Sequence, residues 1–239
     1  MEKTNSRNIA VILAGGTGSR LGVSTPKQYV EVGGQPVIAY CLQTLLHHED
    51  ICMAIVVVSD EWRNFVQDWV GKTQSHIPVY YSQPGEQRQG SVLNALHVAK
   101  QNGVGDNDIV LIHDAARPLL SKELISNCLK ACMDADAVLP VVPVKDTTYL
   151  SHDGRHIDTL LERKTLWNGQ APEAFRFGSY YDANLKLTED ELNRITGSTE
   201  VAFRAGLNCV LVPGDPMNFK ITTKEDLSNF GIIVKNESI

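Results

Sequence analysis

Short, uninterrupted apolar runs recur along this chain, and patterns of helical spacing separate them. Ile9 to Leu13, Ile51 to Val58, Val79 to Tyr81, Ile109 to Ile112 and Val138 to Val144 are rich in β-branched, aliphatic or aromatic residues. They lack the strict apolar-polar alternation of a sheet with one wet face. Strands of this kind are buried on both sides, which calls for helices above and below a mostly parallel sheet. Helical apolar spacing is found at Val37 to Leu46, Glu61 to Val70, Ser91 to Lys100 and Glu123 to Met133, the last preceded by Ser121 as an amino-terminal cap. Gly178 to Leu187, Cys209 to Val212 and Lys224 to Ile232 continue as helix, strand and helix. The expected fold is therefore α/β, a three-layer sandwich, with residues 1–239 forming one domain. Open parallel sheets bind ligands beyond the carboxyl ends of their strands, so those ends are where chemistry is sought.

One stretch breaks the alternation. Thr147 to Leu150 and Arg155 to Leu161 flank Asp153-Gly154, the signature of a tight β-hairpin. Such a hairpin has no core of its own. It either lies over its own domain or protrudes as an arm that clasps a second subunit, at about residues 147–164.

Bulk properties exclude several function classes. The net charge of −6 does not favour nucleic acid or an anionic membrane surface. No apolar run approaches the roughly 20 residues needed to span a bilayer, and the polar start Met1 to Arg7 has no apolar leader core. The five cysteines form no paired framework; Cys128 and Cys132 share a helix face at a spacing unlike a zinc knuckle. They read as buried small hydrophobes of a reducing compartment, and the expected location is the cytoplasm. His47-His48, His152 and His156 lack partners at metal-ligand spacing and read as solvent-facing.

Three segments carry candidate chemistry. The first strand runs into Ala14-Gly15-Gly16-Thr17-Gly18-Ser19-Arg20, with Pro26-Lys27-Gln28 soon after. Glycines allow backbone N–H groups to approach phosphate oxygens. The spacing fits neither the dinucleotide fingerprint, whose third glycine would fall at Leu21, nor a Walker A loop. Arg20 and Lys27 beside such a cradle suit a triphosphate whose charge rises during reaction. The second segment is Pro84-Gly85-Glu86-Gln87-Arg88-Gln89-Gly90-Ser91. There Ser91 either caps a helix or, with backbone groups at Gly85 and Glu86, reads a base edge while Arg88 nears the phosphates. The third is His113-Asp114-Ala115-Ala116-Arg117-Pro118 at the end of a buried strand. Asp114 at the sheet rim could hold Mg²⁺ (or another divalent cation) bridging phosphates; Arg117 adds a cation, and His113 reads as structural.

Together these segments resemble the IspD/TarI family of cytidylyltransferases, which have a Rossmann-like nucleotidyltransferase core. The resemblance runs from about Ile9 to Leu227. It rests on the glycine loop with Pro26-Lys27-Gln28-Tyr29, on His113 to Pro118, and on Phe219-Lys220-Ile221-Thr222. It implies in-line attack of a polyol phosphate on the α-phosphorus of CTP, with pyrophosphate leaving. On that reading Arg20 and Lys27 are catalytic and Asp114 binds metal. Ala14, Gly15, Gly16, Gly18, Gly85, Glu86, Arg88, Ser91 and Ala115 bind the nucleotide. Arg117, Asp146, Thr147, Arg163 and Lys220 hold the acceptor, with Thr147 and Arg163 supplied by the partner's arm in a homodimer. The Asp-Ala-Ala-Arg-Pro form looks more like enzymes acting on 2-C-methyl-D-erythritol 4-phosphate than like those acting on D-ribitol 5-phosphate. The ribitol phosphate reaction, for a cell-surface polymer precursor, is the first rival, and a non-catalytic nucleotide-binding module is the second.

The chain departs from the family pattern at two places. Gln170-Ala171-Pro172-Glu173 stands where the family usually has Gln-Thr-Pro-Gln, and Ser198-Thr199-Glu200 where it has Thr-Asp-Glu. Both fall on the acceptor side.

Overall fold

A computed structural model describes residues 6–16 and 25–237. In chain order the elements are β1 (Asn8–Leu13), a 3-10 turn at Lys27–Tyr29, β2 (Glu31–Val32), β3 (Gln35–Pro36), α1 (Val37–Leu46), β4 (Ile51–Val57) and α2 (Asp60–Thr73). There follow β5 (Val79–Ser82), α3 (Arg88–Gln101), β6 (Ile109–Asp114), α4 (Lys122–Ala131), β7 (Ala137–Pro143), β8 (Tyr149–Leu150) and β9 (Thr159–Leu160). A second 3-10 turn at Arg163–Thr165 leads to β10 (Trp167–Gly169), β11 (Glu173–Arg176), α5 (Phe177–Leu185), α6 (Glu189–Arg194), α7 (Ser198–Arg204), β12 (Cys209–Pro213) and α8 (Lys224–Glu237).

The main sheet has eight strands in the order β10-β7-β11-β6-β1-β4-β5, with β12 paired to β7. β1, β4, β5 and β6 pair in parallel, as do β7 and β12, while β10 and β11 run against their neighbours. The mostly parallel sheet inferred from the apolar runs is thus present. The antiparallel strands from 167 to 176 are new, because Trp-Asn-Gly and Glu-Ala-Phe-Arg are too short and mixed to stand out in sequence.

Side-chain alternation shows why those runs are apolar throughout. On β1, β4 and β6, Ala10, Ile12, Ala54, Val56 and Leu111 enter a core shared with Leu42, Leu45 and Ile125 of α1 and α4. Their neighbours Ile9, Val11, Ile55, Val110 and Ile112 enter a second core with Leu96 of α3 and Tyr180 of α5. Both faces are buried, so the period-two pattern selects between two apolar layers instead of between core and water. A third cluster, Val37, Ile221, Phe230 and Val234, docks α8 on the start of α1. Ser121 caps α4 as expected, its hydroxyl accepting from Leu124 N–H at 3.2 Å.

Three expectations change. His48 is buried at 4% exposure; its Nε2 lies 3.2 Å from the Lys122 carbonyl and 3.1 Å from Ser126 Oγ, which ties α1 to α4. Cys41, Cys128 and Cys132 are buried, but Cys52 is exposed and Cys209 half-buried. The arm hairpin pairs only Tyr149 with Leu160 and Leu150 with Thr159, so residues 151–158 form a wider loop than a tight turn at Asp153-Gly154. Asp153 organises that loop, its Oδ1 accepting from the N–H groups of Arg155 and His156 at 2.7 and 2.8 Å. Among the described residues no helix is long and apolar enough to cross a membrane.

Candidate active site

The carboxyl ends of β1, β4, β5 and β6 converge on one cleft of about 680 Å³. Each strand passes directly into a lining segment: Ala14-Gly15-Gly16 after β1, Ser59 after β4, Pro84 to Arg88 after β5, and Asp114 with Ala116 at β6. Lys27, Gln28, Tyr29 and Trp62 form one wall, and Lys220 closes the other side.

The glycine loop is held from behind. Gln28 Nε2 donates to the Ala14 and Gly16 carbonyls at 2.6 and 2.7 Å, and the Tyr29 hydroxyl donates to Ala14 at 2.7 Å. Across a trans peptide the following N–H points the opposite way, so that of Gly15 is turned from these donors. Tyr29 stacks on Trp62 with ring centroids 4.4 Å apart, which fixes the 3-10 turn bearing Lys27. A Cβ at Gly15 would lie 2.5 Å from Pro84 Cβ, and one at Gly85 would lie 2.6 Å from the Gly90 carbonyl carbon. Glycine at 15 lets the loop after β1 touch the loop after β5, and glycine at 85 lets that second loop fold against the first turn of α3. Ser91 is not the cap of α3, since Gln87 occupies that position. Its hydroxyl accepts from Gly85 N–H at 3.0 Å and donates to the Gln87 carbonyl at 3.2 Å, folding the loop back on the helix.

Asp114 is the electrostatic centre. Lys220 Nζ donates to its Oδ2 at 2.8 Å, Arg88 reaches Oδ1 at 3.3 Å, and Arg117 Nε stands 3.9 Å away. Burial alone would raise the Asp114 carboxyl, but Arg88, Lys220 and Arg117 outweigh it and hold it well below the usual carboxylate range. His113, fully buried, is pushed down to about 4 by desolvation; its Nε2 bonds the Arg117 carbonyl at 3.0 Å. The structural role expected of it fits this placement.

A smaller recess of about 280 Å³ shares Arg88, Asp114 and Lys220 with the cleft and adds Arg117, Gln170, Glu173 and Thr199. Arg88 also donates to Glu173 Oε1 at 3.3 Å and Ser198 Oγ at 2.6 Å. Glu173 Oε2 accepts from Thr199 N–H and Oγ1, both at 2.7 Å. Three cations therefore share two buried carboxylates, leaving a surplus of positive charge where anionic substrates would meet. Sequence reasoning noticed Glu173, Ser198 and Thr199 only as departures. Nothing local signals that residues 110 positions apart join at Arg88.

Of the residues singled out, Ala14, Gly15, Gly16, Lys27, Gly85, Glu86, Arg88, Ser91, Asp114 and Lys220 line the cleft, and Arg117 lines the recess. Gly18 and Arg20 lie outside the described residues. Ala115 is fully buried behind the wall with its N–H on the Leu13 carbonyl, and Ala116 faces the cleft in its place. Asp146, just before the arm, and Thr147 and Arg163 on it are exposed and line neither cavity. Among the described residues no group of three His, Cys, Asp or Glu forms a metal cage. A hard divalent cation bound with substrate phosphates needs only one or two carboxylates, so ionised Asp114 on the cleft wall fits that role.

Residues 8–236 match the family of 2-C-methyl-D-erythritol 4-phosphate cytidylyltransferases. The chain belongs to that family. It is 35% identical over 218 residues to the 2-C-methyl-D-erythritol 4-phosphate cytidylyltransferase of Clostridium botulinum, covering 91% of this chain and 95% of that one. It is 36% identical over 223 residues to the bifunctional enzyme IspD/IspF of Bradyrhizobium diazoefficiens, covering 93% of this chain but only 54% of that protein. A crystal structure of a 4-diphosphocytidyl-2C-methyl-D-erythritol synthase superposes with a TM-score of 0.79 at 27% identity, over 96% of this chain and 99% of that one. The cytidylyltransferase family thus accounts for nearly the whole chain, and the fold is the Rossmann-like nucleotidyltransferase sandwich expected from the resemblance.

Proposed function

We propose that this chain transfers CMP from CTP to 2-C-methyl-D-erythritol 4-phosphate and releases pyrophosphate. The observation that carries the reading is a glycine-lined cleft at the strand ends that opens, across Arg88, Asp114 and Lys220, into a second cationic recess. Two adjoining anion sites are what joining a triphosphate to a phosphate monoester requires. Family membership over residues 8–236 supports the identity of the acceptor.

In this reading the triphosphate lies against Gly15 and Gly16, with the cytosine toward Gly85, Glu86 and Ser91. The acceptor phosphate occupies the recess beside Arg117 and Lys220. One of its oxygens attacks the α-phosphorus in line, the bond to the β-phosphate oxygen breaks, and the electron pair leaves with pyrophosphate. No general base is needed, because a phosphate monoester is already anionic at neutral pH. Lys27, with Arg20 as the second candidate, neutralises charge on the crowded phosphorus, so positioning and charge carry most of the barrier reduction. Asp114 would hold a divalent cation, which supplies further neutralisation of the β- and γ-phosphates when bound.

The arm completes the proposal. Tyr149, Leu150, Ile157 and Leu160 expose between 42% and 67% of their surface, an apolar load suited to packing on a second copy of the chain. Thr147 and Arg163 reach neither cavity of their own subunit, which supports their donation to the partner's acceptor site.

The test is to follow CTP labelled at the α-phosphorus. Label appearing in the polyol product, with unlabelled pyrophosphate, supports the reading; label remaining in CDP or in free CMP rejects it.

A further inference from the structure

The first residue of β11, Glu173, touches the start of α7. Glu173 opens β11, opposite Ile112 of β6, and is only 5% exposed. A buried carboxylate is costly unless its oxygens are paired. Here both are: Oε1 with Arg88, and Oε2 with the backbone and hydroxyl of Thr199. The Arg88 fork simultaneously holds Ser198 Oγ and Asp114. One carboxylate thus fastens the start of α7 and the guanidinium that borders both cavities. Burial opposes the Arg88 charge, yet Asp114 and Glu173 together outweigh it and keep the guanidinium firmly protonated.

Position 199 reaches the same place from the other side. Its side chain already meets Glu173 Oε2 at 2.7 Å, so an aspartate there would present a carboxylate across the same contact. Exchanging the Glu-plus-Thr pair for Gln-plus-Asp would move one negative charge across that contact without changing the total. We infer that Glu173 is a positioning residue for acceptor use: it aims Arg88 into the recess, and a carboxylate moved to position 199 can replace it. Glu173 and Thr199 line the recess and not the nucleotide cleft, whereas Arg88 borders both, so the expected signature is an acceptor KM that moves more than the CTP KM. The inference rests on the proposed function for the identity of that acceptor.

A glutamine at 173 has one acceptor oxygen for two sets of donors, so either Arg88 or Thr199 loses its partner. Steady-state kinetics with CTP and 2-C-methyl-D-erythritol 4-phosphate should show Glu173→Gln raising the acceptor KM about tenfold, the scale of one charge-assisted hydrogen bond. The CTP KM should stay within about twofold, and Glu173→Gln/Thr199→Asp should return the acceptor KM to within about threefold of the parent. An unchanged acceptor KM in the single variant, equal shifts for both substrates, or a double variant no better than the single would overturn the inference. A parent inactive on this acceptor would sink the proposed function alone. The role of Glu173 would then be read from melting temperatures, where the double variant must recover what the single one loses and failure to recover it counts against the pairing.

Discussion

Replacing Asp114 by asparagine removes the negative centre of the site while barely changing its shape. The carboxylate is 8% exposed and receives Lys220 at 2.8 Å, Arg88 at 3.3 Å and Arg117 at 3.9 Å. Removing one partner of a buried ion pair costs about 3–5 kcal/mol because the remaining charge is left uncompensated. The lower end applies here, about 3 kcal/mol, because the Lys220 side chain is 34% exposed and can swing toward water. Turnover should fall about 10²- to 10³-fold, because the variant loses both the group that would hold the divalent cation and the anchor of Arg88 and Lys220. Metal-free CTP should behave in the opposite way. Its phosphates replace the missing negative charge, so CTP in the presence of a chelator should raise the melting temperature of Asp114→Asn more than that of the parent. The assays are urea unfolding, thermal melting with and without CTP, and pyrophosphate release. Turnover within tenfold of the parent, or stabilisation by CTP no greater than in the parent, would refute the role given to Asp114.

Further outcomes follow from the same geometry. Lys27→Ala should lower turnover about 10²-fold or more with the fold intact by circular dichroism; near-normal rates would mean that the nucleotide loop is misassigned. Arg163→Ala should raise the acceptor KM while leaving CTP binding by calorimetry unchanged, and equal acceptor constants would remove the arm from the site. His113 is neutral in the folded chain, with its pKa pushed down to about 4 from an ordinary value near 6.5. The unfolded chain therefore takes up the proton first, and the stabilisation, complete above about pH 7, is lost as pH falls through 6.5 toward 4. About 2 kcal/mol should disappear between pH 7 and pH 5. Denaturant unfolding of His113→Gln should lack that part of the slope; an unchanged pH profile would show that His113 is not its source.

The parts of this molecule that sequence exposes are those whose physics is local. Ile9 to Leu13 and Ile109 to Ile112 read as doubly buried strands because every residue is apolar, and the structure places both at the centre of the sheet. The cleft was legible because its residues sit immediately after strands, as Gly15, Gly85 and Asp114 do. What stayed hidden depends on partners far along the chain. Arg88, Glu173 and Ser198 form one network whose members have no common motif. Gln28 and Tyr29 directly follow Lys27, yet their work, holding the Ala14 carbonyl from behind, appears only once the chain has turned back on itself. His48 looked solvent-facing beside His47 because nothing in the pair signals that the turn after α1 brings the second ring against α4.

Steady-state pyrophosphate release is the most direct check on the central claim. With CTP and 2-C-methyl-D-erythritol 4-phosphate the purified protein should turn over at least 10²-fold faster than with CTP and D-ribitol 5-phosphate, the scale at which a built site rejects a poorly matched polar substrate. Turnover confined to ribitol phosphate, or none with either acceptor in the presence of Mg²⁺, would contradict it.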